Sequence, residues 1–487
     1  MNILHTPLFA TETPRRTGAG FHNVGSGVLR ASNTETVRKV ERFYGQRCGH
    51  LPLDAQDVCI LVEVPTRAIT SQMAYLSQLF GKVITARTFE DFTPPQPNVA
   101  EQDLPLVVPY INVPETEQLI HLKLGAESWG VPGKMTDCLK NKADFYVLID
   151  ELGMEGFCTP DYLISTFDTA VQDAQTVLGQ AEEVYAQAAL APYYPLGVVM
   201  RAAESDGNYG SSIVYERNNG IIVVQDGDAE HIQTYTQWQA ALTAAQTALA
   251  TTVNPQRENR VVISRYVDIV DSPGMSVVLM NGDVISLGWN GQLQKEGSKA
   301  CVGTSTYRPK NEYMQHVQAQ YEEFTANSFE AFLRKVTAYC NLDFNTVRGV
   351  ANVDMMFPGA LERQLQQHRK QPMVPYLAEC NPRWTNYTDA IMTLLGANRR
   401  TQTIYNMQLT IHEGISTVDK YPFPMHIDPW VVREQILDRD TALQREDARI
   451  ICRMATNPLG IIFAGNIERA QQEIDAIIAR LATYKHF

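Results

Sequence analysis

No apolar run in the 487-residue chain approaches the ~20 residues needed to cross a bilayer; the longest, around residues 104–111, is short and broken by prolines. This excludes a membrane bundle. No Cys-x-x-Cys pair and no nearby His cluster accompany the eight cysteines, scattered at positions 48, 59, 138, 158, 301, 340, 380 and 452. Structural zinc is not expected, and the thiols read as reduced and buried in a cytosolic protein. Basic runs are missing too: 41 Lys and Arg against 54 Asp and Glu leave a formal charge of -13. That balance argues against nucleic acid as the main partner. It does not argue against a small anionic ligand, for which a few placed cations suffice. The first seven residues lack the basic start and apolar stretch of a signal peptide, which predicts a cytoplasmic protein. No repeat period or low-complexity tract is present.

What is there is ordinary for a soluble globular chain, with 44% apolar and 20% charged residues in a length that suggests about three domains. Residues 1 to about 50 are rich in Gly, Asn and Thr. Gly18-Ala19-Gly20 and Gly25-Ser26-Gly27 invite a phosphate-loop reading, but no strand signal precedes them and no G-x-x-x-x-G-K-S/T follows. A flexible or capping segment is expected instead. From Val58 onward β and α patterns alternate. The apolar runs 58–62, 82–86 and 106–111 read as strands of a small parallel sheet, with helices between and after them. Helices are predicted over 169–186 and 229–250, with strands at 197–200 and 221–225 between them. Runs 260–269, 276–280 and 284–287 read as antiparallel strands, the last two joined by the hairpin turn Asn281-Gly282. Strands follow at 349–357 and 374–379, then a short one at 460–464. Ile467, Ala470, Ile474, Ile477 and Leu481 form the stripe of a final helix. The class is α/β and α+β in about three lobes.

Four features carry chemistry. Asp354 lies in Gly349-Val350-Ala351-Asn352-Val353-Asp354, and Glu379-Cys380-Asn381-Pro382-Arg383 ends another strand. Residues two apart on a strand point the same way, so Glu379 and Asn381 can face one cavity, with Asp354 supplied by a neighbouring strand. Two carboxylates and an amide oxygen are hard ligands suited to Mg²⁺ beside phosphates. Arg201 is a cation at a strand end, followed by the turn Ser205 to Gly210, where Gly207 and Gly210 can bring backbone N–H groups onto phosphate oxygens. Lys142 opens a helical segment. Each alone has a plainer reading: a turn acid, a common Glu-x-Asn, a hairpin loop, a solvated lysine. Their order and spacing together are informative.

That order resembles the ATP-grasp superfamily, in which Asn/Asp-Lys opens a helix and a second strand cation precedes a glycine-rich loop. A hinge strand for adenine, a metal-binding Asp and E-x-N-(P)-R follow. The match spans about residues 105–390. The Asp354 strand looks like that of D-alanine–D-alanine ligases, and Glu379–Arg383 looks like the E-x-N-P-R of biotin-carboxylase-type members. Val107-Val108-Pro109-Tyr110-Ile111, Leu124-Gly125 and Leu152-Gly153 are similar to the pre-ATP-grasp domain of peptide ligases of the pheganomycin type. The chain departs from the pattern in two places. The strand cation, usually lysine, is Arg201, and the hinge acid is replaced by Ser264.

The resemblance implies an N-terminal parallel-sheet pre-ATP-grasp domain (1–130) and a lobe with the phosphate-binding loop (131–258). A catalytic lobe with the metal site (259–410) and a small C-terminal βα element (411–487) would follow, the two α+β lobes clasping ATP. Asp354, Glu379 and Asn381 would hold Mg²⁺ or Mn²⁺, usually as two ions. Lys142, Arg201, Ser205, Gly207 and Gly210 would hold phosphates. Ser264, Arg265, Tyr266 and Val267 would border adenine, with Asp268 or Asp271 for the ribose. Arg383, or Arg348 as an alternative, would hold an acceptor carboxylate and stabilise the tetrahedral oxyanion. Gly291–Tyr307 reads either as a water-excluding lid or as a surface loop. The implied activity joins a small carboxylate to an amine, an amino acid or short peptide, with release of ADP and phosphate. No nucleic acid or membrane partner is implied, and a homodimer is the family default. Two alternatives stay open: a small-molecule kinase or carboxylase on the same fold, and a nucleotide-binding regulatory protein without turnover.

Overall fold

The computed structural model describes residues 17–23, 46–47, 51–92, 104–205, 210–217, 219–227, 231–294, 301–309, 311–399, 414–443, 446–456 and 458–483. Three sheets carry the fold. The first is parallel throughout, with β1 (Thr17–Phe21), β2 (Asp57–Leu61), β3 (Ile84–Arg87), β4 (Leu106–Pro109) and β5 (Glu127–Ser128) in the order β3-β2-β1-β4-β5. The apolar runs at β2 and β4 are buried on both faces, as their composition predicts. The helix Arg67–Phe80 turns Met73, Leu76 and Leu79 inward. β1 corrects the sequence reading, because the Gly18-Ala19-Gly20 stretch expected to be flexible is the central strand. A Cβ at Gly18 would stand 2.6 Å from Pro52 Cγ and 2.7 Å from the Ala55 Cβ, so a close-packed neighbour demands glycine where strand propensity would not. Gly25-Ser26-Gly27 lies outside the described residues.

The second sheet is antiparallel, with β6 (Tyr162–Thr166), β7 (Gly197–Ala202), β8 (Ser211–Glu216), β9 (Ile222–Asp226), β10 (Ile232–Tyr235) and β11 (Arg260–Arg265) in the order β10-β9-β8-β7-β11-β6. One face packs on the helices Ala170–Gln187 and Trp238–Thr252 through Val198, Met200, Ala202, Val261 and Ile263. The predicted helix 229–250 therefore starts late, since its first part is β10, paired to β9 as an edge strand.

The third sheet has nine strands: β12 (Ile269–Asp271), β13 (Gly274–Met280), β14 (Asp283–Gln294), β15 (Cys301–Thr306), β16 (Gly349–Pro358), β17 (Tyr376–Asn381), β18 (Ile415–Tyr421), β19 (Ala448–Met454) and β20 (Leu459–Gly465). Asn281 and Gly282 turn β13 into β14 with φ of 54° and 81°, the two left-handed residues a tight hairpin of this sequence needs. Gly291–Tyr307 belongs largely to β14 and β15, paired antiparallel, and residues 295–300 lie outside the described residues. Gly303 serves the pairing of β15 with β18: a Cβ there would sit 1.7 Å from the Thr417 carbonyl oxygen. The 28-residue helix Glu312–Tyr339 is absent from the sequence reading; its inward stripe, from Val317 and Tyr321 to Phe329, Phe332 and Val336, is interrupted by buried Thr325.

The C-terminal region is larger than the expected βα element. β18, β20 and β19 extend the third sheet, and the helices Pro429–Leu443 and Ile467–Thr483 cover them. Their core is continuous with that of the Arg67–Phe80 helix. Arg453, buried, joins Asp389 at 2.6 Å and Asp419 at 3.1 Å, and Arg47 reaches Asp419 at 3.0 Å. The seven described cysteines are free, and the Cys138 and Cys340 sulfurs lie 3.9 Å apart. Among the described residues no helix is long and apolar enough to cross a membrane.

Gly349 gives the fold a testable hinge-pin. It holds φ at 138°, and a Cβ would lie 2.3 Å from the Val131 amide nitrogen. Gly349→Ala is expected to cost about 2–4 kcal/mol in denaturant unfolding, from backbone strain plus steric conflict. Gly179→Ala, on an exposed helix face with nothing within 4 Å of the new Cβ, is expected to be neutral or slightly stabilising.

Candidate active site

Asn141 accepts hydrogen bonds from the amides of Ala143 (3.0 Å) and Asp144 (3.3 Å), so it caps the helix Lys142–Leu152 and puts Lys142 in its first turn. From there the buried Lys142 ammonium meets Glu379 Oε2 at 2.9 Å and donates to the Ser205 carbonyl oxygen at 2.6 Å. Arg201 leaves β7 on the face opposite Val198, Met200 and Ala202. Its Nη1 donates to the Ala378 carbonyl at 2.9 Å. Its Nη2 donates to the Tyr146 hydroxyl, with the guanidinium carbon 5.1 Å over the Tyr146 ring.

β16 and β17 run antiparallel with Asp354 opposite Glu379 and Asn352 opposite Asn381. This register puts both carboxylates on one face, as the spacing predicts. Asn352 donates to Asp354 Oδ1 at 2.9 Å, and Asn381 donates to Asp354 Oδ2 at 3.2 Å and Glu379 Oε1 at 3.4 Å. Burial, and then the adjacent Glu379 charge, push the Asp354 carboxyl up from the usual range. Burial opposes ionisation of Glu379 as well, but the Lys142 ammonium, seconded by Arg201, wins and holds that carboxyl low. A divalent cation between the two acids relieves this conflict, so the donor set fits one. Asn381 joins as a ligand between these acids if its amide turns over, because its NH2 now faces the two carboxylates while Oδ1 accepts from Arg383 Nη2 at 2.8 Å. Among the described residues no group of three His, Cys, Asp or Glu converges.

Arg383 also donates to the Tyr110 hydroxyl at 3.2 Å and to the Trp384 carbonyl at 3.1 Å. Tyr110 follows β4, and its amide donates to the Phe21 carbonyl at 2.7 Å. Asn23, just past β1, brackets Ile111 by donating to its carbonyl at 2.8 Å and accepting from its amide at 3.1 Å. The carboxyl ends of two parallel strands therefore open beside Arg383, the edge where α/β sheets bind ligands.

Several predicted residues are placed elsewhere. Arg348 is not brought to this site: it pairs with Glu127 at 2.6 Å and stands six residues, about 20 Å of extended strand, from Asp354. The Arg265 side chain turns away from Arg201 into a buried pair with Glu362, and its amide is spent on the Asp161 carbonyl at 2.9 Å. The Tyr266 amide donates to the Gly197 carbonyl at 2.8 Å, and its ring stacks on Tyr215. The Asp268 carboxylate accepts from the Leu361 amide at 3.0 Å and caps the helix Ala360–His368; Asp271 accepts from the Tyr307 hydroxyl at 2.8 Å. Both acids expected at a ribose are committed within the chain. Buried Ser264 shares the sheet face of Arg201, and Val267 is buried beyond it. Ser205 lies under Lys142 and Gly210 closes the turn with φ 74°; Gly207 falls outside the described residues.

Sequence reasoning missed Tyr146, one helical turn after Lys142, and Tyr110. It also missed the buried trio Ser276, Asn290 and Asn352, which are mutually hydrogen-bonded at 2.9–3.0 Å and extend the polar face from Asp354. A Cβ at Gly274 would strike Asn290 Oδ1 at 2.6 Å and Asp354 Oδ1 at 2.9 Å, so glycine keeps this face open. The Lys142-to-Tyr146 spacing was a readable signal; the trio, drawn from three strands, was not.

Neither a family model nor a curated protein matches the sequence. Among solved structures, an ADP complex of purK, N5-carboxyaminoimidazole ribonucleotide synthetase, is similar at a TM-score of 0.50 and 11% identity over 96% of this chain and 97% of that one. The chain has the ATP-grasp fold. Lesser likenesses are an ADP complex of N5-carboxyaminoimidazole synthetase from Staphylococcus aureus (TM-score 0.47, 8% identity, 96% and 99% covered) and a biotin carboxylase–beta-gamma-ATP complex from Campylobacter jejuni (0.47, 10%, 92% and 87%). Lys142, Arg201, Asp354 and Glu379 stand where the second and third sheets face each other.

Proposed function

We propose that this chain is an ADP-forming ligase that activates a small carboxylate with ATP and passes the acyl group to an amine, making a peptide or related amide bond. The observation that carries the reading is the convergence of Lys142 on Glu379 and of Arg201 on the adjoining Ala378 carbonyl, with Asp354 and Asn381 beside them, between the lobes of an ATP-grasp fold. Lys142 and Arg201 bind phosphate oxygens, and the buried Arg201 Nε has no hydrogen-bond partner within the chain. Asp354, Glu379 and a turned Asn381 hold Mg²⁺, which neutralises phosphate charge when bound. A carboxylate oxygen of the substrate attacks the γ-phosphorus and ADP leaves; the amine then attacks the acyl carbon and phosphate leaves. Arg383, braced by Tyr110, orients the acceptor carboxylate and stabilises the oxyanion.

The test is ADP release from Mg-ATP against amino acids, dipeptides and bicarbonate, singly and in pairs. Release that needs both a carboxylate and an amine supports the ligase. Release of AMP and pyrophosphate overturns it, and a stable phosphorylated product assigns a kinase instead. Lys142→Ala is expected to weaken Mg-ADP binding by about tenfold or more, the worth of a charge-assisted contact, as read by calorimetric titration. Unchanged affinity would remove Lys142 from the phosphate site.

A further inference from the structure

Lys142 and Tyr146 lie one turn apart on one helix and leave it on the same side. Lys142 reaches Glu379 directly. Tyr146 instead meets Arg201, which arrives from β7: one guanidinium nitrogen donates to the phenol oxygen, and the guanidinium carbon lies 5.1 Å from the ring centroid. The opposite nitrogen donates to the carbonyl of Ala378, the residue before Glu379. The Tyr146 ring is itself fixed, fully buried and met edge-on by Tyr162 at 5.0 Å. Tyr162 is anchored in turn by its hydroxyl on Asp150 at 2.8 Å. With both terminal nitrogens engaged, the Nε edge of Arg201 is left buried and without a partner.

A lysine ammonium at this strand position is a point charge and needs no orientation. A guanidinium is a planar fork whose donors work only when aimed. We propose that Tyr146 is the positioning residue that aims Arg201 at the phosphate oxygens of a bound nucleotide, an inference that rests on the nucleotide reading above. Hydrogen bonds at its two terminal nitrogens, to the phenol and to the Ala378 carbonyl, fix the orientation of the guanidinium, and the cation–π contact holds it against the ring. One helix thereby delivers one cation itself and sets the angle of the other.

The experiment is a double-mutant cycle in Mg-ADP affinity, titrated calorimetrically on the full chain: wild type, Tyr146→Phe, Arg201→Ala and the double variant, with thermal midpoints measured in parallel. Tyr146→Phe keeps the ring and the packing. It is expected to weaken binding about tenfold with an unchanged midpoint, and to add less than about twofold once Arg201 is alanine. Equal weakening by Tyr146→Phe in both backgrounds overturns the proposal, because the phenol then acts through something other than Arg201. Wild-type affinity in Tyr146→Phe overturns it too. A wild type that fails to bind Mg-ADP sinks the nucleotide reading itself, an outcome visible before any variant is compared.

Discussion

Glu379→Gln is expected to lower turnover by about a thousandfold or more at saturating ATP while leaving the fold intact. Glu379 is the one side chain that touches Lys142, accepts from Asn381 and stands opposite Asp354. Removing its charge takes one carboxylate from the cation site and frees Lys142 to swing. It is partly open to solvent, with 24% of its side chain exposed, so little packing is lost. Asp354→Asn is expected to lose activity to the same degree but to raise or preserve the thermal midpoint in EDTA, because it ends the repulsion between two apposed acids. Activity within tenfold of wild type in either variant would displace the catalytic centre from β16 and β17. A midpoint that falls by several degrees in Asp354→Asn would mean that the carboxylate serves the fold rather than a ligand.

The largest stability effect is expected from Glu362. It is fully buried against Arg265, with two bonds of 2.8 and 2.9 Å, and its oxygens also accept from the Tyr194 and Tyr376 hydroxyls. Burial alone would raise its carboxyl, but the Arg265 guanidinium holds it below the usual glutamate range. Glu362→Gln leaves Arg265 buried with only Asp161 at 3.1 Å as a charged partner, a loss of about 3–5 kcal/mol by denaturant unfolding. The sign of the pH dependence follows. A depressed acid contributes its full stability above the unfolded value of about 4.3 and loses it as pH falls through the lower folded value. The gap between wild type and Glu362→Gln is therefore expected to be constant from neutral pH down to about 5 and to close only in stronger acid. A gap that closes near neutrality would show that Glu362 is not ionised in the native pair.

That pair also shows what the sequence could not say of Arg265. Its backbone was expected to border adenine, while alternation along β11 puts its side chain on the face opposite Val262, where a glutamate 97 residues away waits. The partners of Asp268 and Asp271, a helix amide and a tyrosine hydroxyl, were hidden for the same cause: each comes from a distant segment. The Gly18–Gly20 strand was hidden because its glycines answer to Pro52 and Ala55, which no local window includes.

What the sequence determined by itself was whatever depends on neighbours in the chain. The apolar runs of β2 and β4, the Asn281-Gly282 turn, the Asn141 cap that presents Lys142, and the alternation that turns Glu379 and Asn381 the same way all follow from short-range geometry. The tertiary structure alone decided which of the candidate charges meet. The β16–β17 register put Asp354 opposite Glu379, Lys142 reached them across 237 residues of chain, and Arg348 was sent to Glu127 instead. Charges act through distance in space, and that distance is set only when the sheets pack.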